Sequence, residues 1–229
     1  MTSHDGSAWS FPLLSDVPSS FSGSPIGLAE RVGLGAGQLL ALAILAALSP
    51  LMLALALLIR RDGGPALFVH YRVGCGGQLF RCIKFRTMRP NADLALREML
   101  AREPSLAAEW DREHKLAEDP RVTPLGRWLR HSSLDELPQL LNVLRGEMAL
   151  VGPRPVTVPE LRRYGAARWQ YLSVPPGITG LWQVSGRSRI GYDRRVELDE
   201  RYVRTRSAWL DCRILAKTVV VVLKGDGAC

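Results

Sequence analysis

Residues 1–30 show no hydrophobic period and are rich in Ser, Pro and Gly. Such a stretch has no face to bury, so a mobile leader is expected, and without a basic start it does not look like a secretory signal. Hydrophobicity then becomes continuous. The run "LLALAILAALSPLMLALALLI", Leu39 to Ile59, is 21 residues long and carries no charge, about the length needed to cross the hydrocarbon core of a bilayer as a helix. A soluble helix of this length would show a polar face, and this one has none. Ser49-Pro50 falls at its midpoint. Proline removes one backbone hydrogen bond and strikes the preceding turn, so a bend is expected there, with the Ser49 hydroxyl as a local partner for the freed carbonyl. A straight span and a bent hairpin that enters and leaves by one face both fit residues 31–61. The flanking charges, Arg31 before and Arg60 and Arg61 after, do not choose between them.

Beyond residue 61 the pattern becomes that of a mixed α+β domain, mostly helical, over 62–229. "ALFVHYRVGCGGQLFRCIKFRTM" reads as two extended runs around a Gly-rich turn, a β-hairpin. "NADLALREMLAREPSLAAEWDREHKLAEDP" has helical propensity interrupted at Pro104. Its broken stripe of Leu94, Leu96, Met99, Leu100, Leu106 and Trp110 suits either core packing or the membrane interface. In "SLDELPQLLNVLRGEMALVGPRP" the spacing predicts a helix capped by Asp135. Pro138 would then sit in its first turn, Leu137, Leu140, Leu141 and Leu144 on one face, and Gly146 at its close. The C-terminal "SAWLDCRILAKTVVVVLK" is read as an amphipathic helix, although Val219 to Val222 alone would also suit a buried strand.

Charge sharpens this division. The formal net charge is +8, but residues 1–59 carry −2 and residues 60–229 carry +10, almost all of it arginine. That excess suits phosphate recognition or an anionic lipid surface. Nucleic acid is disfavoured, because no zinc-finger spacing, RNP-like aromatic motif or separate helix-turn-helix unit is present. Cys75, Cys82, Cys212 and Cys229 lack C-x-x-C spacing, so reduced thiols facing a cytoplasm are expected rather than a metal site. The histidines are scattered and receive no role. The "GLGAG" at 33–37 follows no strand and is not a dinucleotide loop.

The candidate chemistry gathers around Asp135 and Glu136. At the start of a helix both would sit at the positive end of its dipole, which keeps a carboxylate ionised and attracts phosphate. An isolated Asp there would be read as a cap. "VGPRP" changes the reading by fixing Arg154 between two prolines, a stiff mount for a phosphate fork. Lys84 and Arg86 in "KFRTM", Arg130, and Arg187 at the end of "PPGITGLWQVSGR" add cations. Together they describe a diphosphate site with a carboxylate at its centre.

"KFRTM", "SLDELPQLLNVLRGEMALVGPRP" and "PGITGLWQVSGR", in this order after a Ser-Pro-interrupted apolar segment, resemble the monotopic bacterial phosphoglycosyl transferases over residues 30 to 229. The resemblance implies that Asp135 is a nucleophile attacking a UDP-sugar, with UMP released, and that undecaprenyl phosphate then accepts the sugar 1-phosphate. It implies magnesium at Glu136, phosphate contacts for Arg130, Arg154 and Arg187, and a further acidic position at Asp199 in "VELDERYV". It favours the re-entrant hairpin, broken at Ser49-Pro50, with the enzyme on the cytoplasmic face of a bacterial inner membrane. Galactose or glucose would be the cargo, and downstream glycosyltransferases would be the next partners; a homodimer is compatible. The rival expectation is a membrane-tethered protein that binds nucleotide-sugar or anionic lipid without turnover.

Overall fold

The computed structural model describes residues 28–113, 116, 119–186 and 190–224; the leader expected over 1–30 falls almost wholly outside them. Helix α1, Leu28–Ile59, starts slightly earlier than expected and is helical through Pro50. The chain thus stays helical where a bend was expected, and the Ser49 hydroxyl donates to Ala46 O at 2.8 Å. That carbonyl is four residues before Pro50, the one whose helical partner the proline lacks. Among the described residues, the stretch Gly35–Asp62 is the one helix long and apolar enough to cross a membrane.

One stripe of α1 lies along the rest of the protein. Gln38 Nε2 donates to Leu144 O at 3.2 Å, and Ala41 is buried with Ile44 and Leu45 packed against the same core. Two turns and more beyond, Leu55 and Ile59 pack with Phe85 and Leu129. From Gln38 to Ile59 is about 31 Å of helix at the usual rise per residue, and this stretch rests on one domain. The other face is bare hydrocarbon: Leu39, Leu53 and Leu57 are 71%, 63% and 61% exposed.

Strands β1 (Leu67–Val73) and β2 (Leu79–Phe85) form the expected antiparallel hairpin, with His70 opposite Cys82. Arg86, just past β2, is where the domain grips the end of α1. Its five N–H groups reach Pro65 O, Met88 O, Ile59 O and both Asp62 carboxylate oxygens. Helices α2 (Ala92–Arg102) and α3 (Pro104–Glu113) follow, parted at Glu103 as Pro104 requires. None of their stripe is fully buried: Leu94 is 57% exposed, and Leu96, Met99, Leu100, Leu106 and Trp110 are half-buried. Trp110 stacks beneath Arg121.

Helix α4 (Pro124–Ser132) is capped by Thr123, whose Oγ1 accepts from Gly126 N. Gly126 lies so close to Thr87 that a Cβ there would fall 1.9 Å from the Thr87 carbonyl oxygen. A 3-10 turn, Leu134–Gln139, leads into the short α5 (Leu140–Leu144), and Gly146 closes it at φ +75°. Asn142, fully buried, binds α5 to β2: its amide donates to Arg81 O at 2.8 Å and accepts from Ile83 N at 3.1 Å. Strand β3 (Ala149–Val151) pairs in parallel with β4 (Gly177–Thr179). Gly152 and Gly177 touch backbone to backbone, which sets "VGPRP" against "PPGITG". Between them lie α6 (Val158–Arg162), in a Thr157–Glu160 capping box, and α7 (Arg168–Leu172). The chain ends in α8 (Tyr192–Thr205) and α9 (Ala208–Lys224), the latter a helix throughout Val219 to Val222.

Candidate active site

Ser133, in the left-handed region at φ 57°, ends α4 and turns the chain into the 3-10 segment. The N-cap of that segment is Ser133, and Asp135 lies inside its first turn. The capping expectation is thus corrected. With Pro138 inside a tight 3-10 turn, no α-helical N-terminus forms at Asp135. The turn instead packs on β2 and delivers the two carboxylates to the strand that carries Lys84.

Lys84 Nζ lies 2.7 Å from Glu136 Oε1, and Arg154 Nη1 lies 3.3 Å from the same oxygen. Glu136 is largely buried, so these contacts are worth more than surface pairs. Asp135 is 9% exposed. Burial raises its pKa from 3.8 to about 6, and the charge of Glu136 pushes the same way, against Lys84, Arg154 and Arg130. Arg130 Nε is fixed on Thr87 Oγ1 at 2.9 Å, the contact that the close approach at Gly126 makes possible. Two carboxylates and three cations thus converge where the sequence placed them.

Not every candidate joins them. Arg86, expected to touch phosphate, has spent all its donors at the foot of α1 and serves as a structural pin. Asp199 is 2% exposed, and Tyr164 Oη donates to its Oδ2 at 2.8 Å. It belongs to the apolar cluster of Tyr164 and Tyr171, not to the pocket beside Glu136. Arg187 lies outside the described residues. Sequence reading missed Arg72 and Gln139, which line that pocket with Arg154. Arg72 Nη1 is held by Glu160 Oε2 at 2.9 Å. It also missed Trp182, which stands between two guanidinium groups, Arg195 at 5.0 Å and Arg154 at 5.7 Å.

Burial lifts the pKa of Asp199 from 3.8 to about 7, partly offset by the Tyr164 hydrogen bond, Arg195 and Arg154. A raised carboxyl is protonated more readily folded than unfolded, so stability contributed by its neutral form is lost as pH rises from about 4 to 7. Asp199→Asn keeps an acceptor for Tyr164 and removes the charge. Its melting temperature should match that of the unaltered protein near pH 4 and exceed it above pH 7; an equal difference at both would contradict the assignment.

Residues 35–225 match the family model described as bacterial sugar transferase. The chain belongs to that family. It is 53% identical to an undecaprenyl-phosphate galactose phosphotransferase of Salmonella typhimurium over 185 residues, covering 81% of this chain and 39% of that protein. It is 50% identical to a UDP-galactose-lipid carrier transferase of Erwinia amylovora over 188 residues, 82% of this chain and 39% of that one. The exopolysaccharide production protein ExoY of Sinorhizobium fredii is 48% identical over 191 residues, 83% of this chain and 84% of its own length. The chain thus spans about two fifths of the first two of these relatives and most of the third. All the residues that converge on Asp135 and Glu136 fall inside the matched segment.

Proposed function

We propose that this chain transfers a sugar 1-phosphate from a UDP-sugar to undecaprenyl phosphate, and so begins a lipid-linked glycan that other glycosyltransferases extend. The observation that carries the reading is a buried Asp135, flanked by Glu136 and faced by Lys84, Arg130 and Arg154, in a chain of this family. An Asp135 oxygen attacks the sugar-linked phosphorus, the bond from that phosphorus to the bridging oxygen breaks, and UMP leaves. An oxygen of undecaprenyl phosphate then attacks the same phosphorus and releases Asp135. Covalent catalysis splits one transfer between a water-soluble and a lipid substrate into two steps at one carboxylate. The cations Lys84, Arg154 and Arg130 orient the diphosphate and receive its charge. Galactose is the favoured cargo, because two of the relatives carry it in their names. Purified protein given a panel of UDP-sugars with undecaprenyl phosphate should release UMP and form product best with UDP-galactose. UMP release from none of them would overturn the reading in favour of a non-catalytic binder.

Magnesium fits the donor set. The described residues hold no cluster of three or more His, Cys, Asp or Glu that could form a protein cage. Magnesium rarely needs one, since it binds through one or two carboxylates completed by substrate phosphates and water. Glu136 would hold the ion, which supplies charge neutralisation for the diphosphate. Glu136→Gln should raise the magnesium concentration that gives half-maximal UMP release by about tenfold or more. An unchanged magnesium requirement would remove Glu136 from that role.

The membrane arrangement follows from α1. One stripe from Gln38 to Ile59 rests on the catalytic domain while the far face is bare hydrocarbon, which supports a helix that enters the inner membrane from the cytoplasmic face without crossing it. With native cysteines replaced, Arg31→Cys and Arg61→Cys should both react with an impermeant thiol reagent from the cytoplasmic side. Labelling from opposite sides would establish a span.

A further inference from the structure

A second cleft, with a free volume of ≈ 330 Å³, opens between α8, α9 and the segment after β4. Its floor includes Leu198, Leu210 and Ile214. Around it stand Arg194, Arg201, Arg213 and Lys217, and among the described residues no carboxylate lines it. Arg194 pairs with Glu197 at 2.6 Å, and among the described residues Arg201, Arg213 and Lys217 have no carboxylate partner.

Two features of the fold say what such a cleft can take. First, Leu181 and Arg194 face the cleft, while their chain neighbours Trp182 and Arg195 stack on each other beside Arg154. The cleft and the Glu136 pocket share no lining residue, so a phosphate here is not the one transferred. Second, α9 turns Leu210, Arg213, Ile214 and Lys217 to the cleft but leaves Trp209 73% and Val219 60% exposed on its outside. Ile214 and Leu210 also share one apolar cluster with Ala41 and Ile44 of α1. The floor of the cleft therefore belongs to the same core that seats the helix with the bare hydrocarbon surface.

A hydrocarbon floor under a cationic rim, in a core shared with a membrane helix, matches a headgroup phosphate on acyl chains. The geometry points to a seat for one anionic phospholipid of the surrounding bilayer. Its phosphate rests on Arg201, Arg213 and Lys217, and part of a chain lies over Leu198, Leu210 and Ile214. The seat is independent of the transfer reaction and fixes α8 and α9 against the bilayer.

The test is native mass spectrometry of the full chain in neutral detergent, titrated with phosphatidylglycerol or with phosphatidylcholine of the same acyl chains. One phosphatidylglycerol should be retained and phosphatidylcholine should not. The pair Arg201→Gln and Arg213→Gln should weaken retention by about tenfold or more, since each cation near an anionic lipid contributes a factor of several. The same charge change at the exposed Arg97 and Arg102 of α2 should leave it intact. Equal retention of the two lipids, or equal loss in both double variants, would reduce the effect to diffuse surface charge and overturn the proposal. Displacement by inorganic phosphate would make the seat a free-phosphate site, and one-for-one displacement by undecaprenyl phosphate would give it to the acceptor; either contradicts the assignment. The phosphatidylglycerol and phosphatidylcholine comparison uses the unaltered chain, so it decides even where a variant fails to fold.

Discussion

Asp135→Asn should lower UMP release from the UDP-sugar by at least about a thousandfold, because removing a covalent nucleophile removes the step and not merely a contact. Asn has the same shape and no charge, so the pocket that Lys84, Arg154 and Gln139 help to form should persist. The variant should also be at least as stable as the parent, since burial and Glu136 already hold Asp135 well above the ordinary carboxylate range. Activity and stability should therefore move apart: turnover collapses while the thermal transition stays or rises. Near-normal UMP release from the Asn variant would mean that water or the acceptor attacks the donor directly. Loss of folding would mean that the pair is structural.

The second large effect concerns Arg86, which is 8% exposed. Arg86→Ala leaves the carbonyls of Ile59, Pro65 and Met88 without their donor and Asp62 without its guanidinium. Asp62 is exposed and loses little, but hydrogen bonds from a charged donor are worth about 1.5–3 kcal/mol each and the buried Ile59 loses its partner, so a cost of about 3 kcal/mol is expected. In a domain of this size that is a fall of about 6–12 °C in melting temperature. Asp62, now held at about 2 by Arg86 and the Gly64 N–H against its own desolvation, should return toward 3.8. The transferase half-reaction measured at low temperature should survive, because Arg86 touches no residue of the carboxylate pair. A fall in turnover at full stability would restore Arg86 to the phosphate site.

That residue also shows where sequence reading stops. In "KFRTM", Lys84 and Arg86 are two apart and would share a face of a strand. The strand ends at Phe85, however, so only Lys84 turns to Glu136 while Arg86 folds back on the end of α1. The hairpin, the apolar helix and the C-terminal helix were legible because their signals are local: alternation around glycines, absence of charge, and helical spacing. The Ser49 hydroxyl was assignable for the same reason, its partner being one turn away. Asp135 and Glu136 were legible through neighbours in one continuous motif, but the mount was misread, since a helix cap and a 3-10 turn begin with the same residues. Arg72 could not be read at all. Its partner Glu160 is 88 positions away, and only the folding of α6 against β1 brings them together. Trp182 and Arg195 are similar, ordinary in sequence and joined only by the packing of α8 on the turn after β4.

The most direct test weighs the protein during the reaction. The full chain is incubated with UDP-galactose and magnesium, without undecaprenyl phosphate, quenched, and examined by intact-mass and peptide mass spectrometry. A gain equal to one galactose phosphate, carried on the peptide that contains Asp135 and discharged when undecaprenyl phosphate is added, is the predicted result. UMP release with no adduct at any time point, or an adduct that persists in the Asp135→Asn variant, would contradict it.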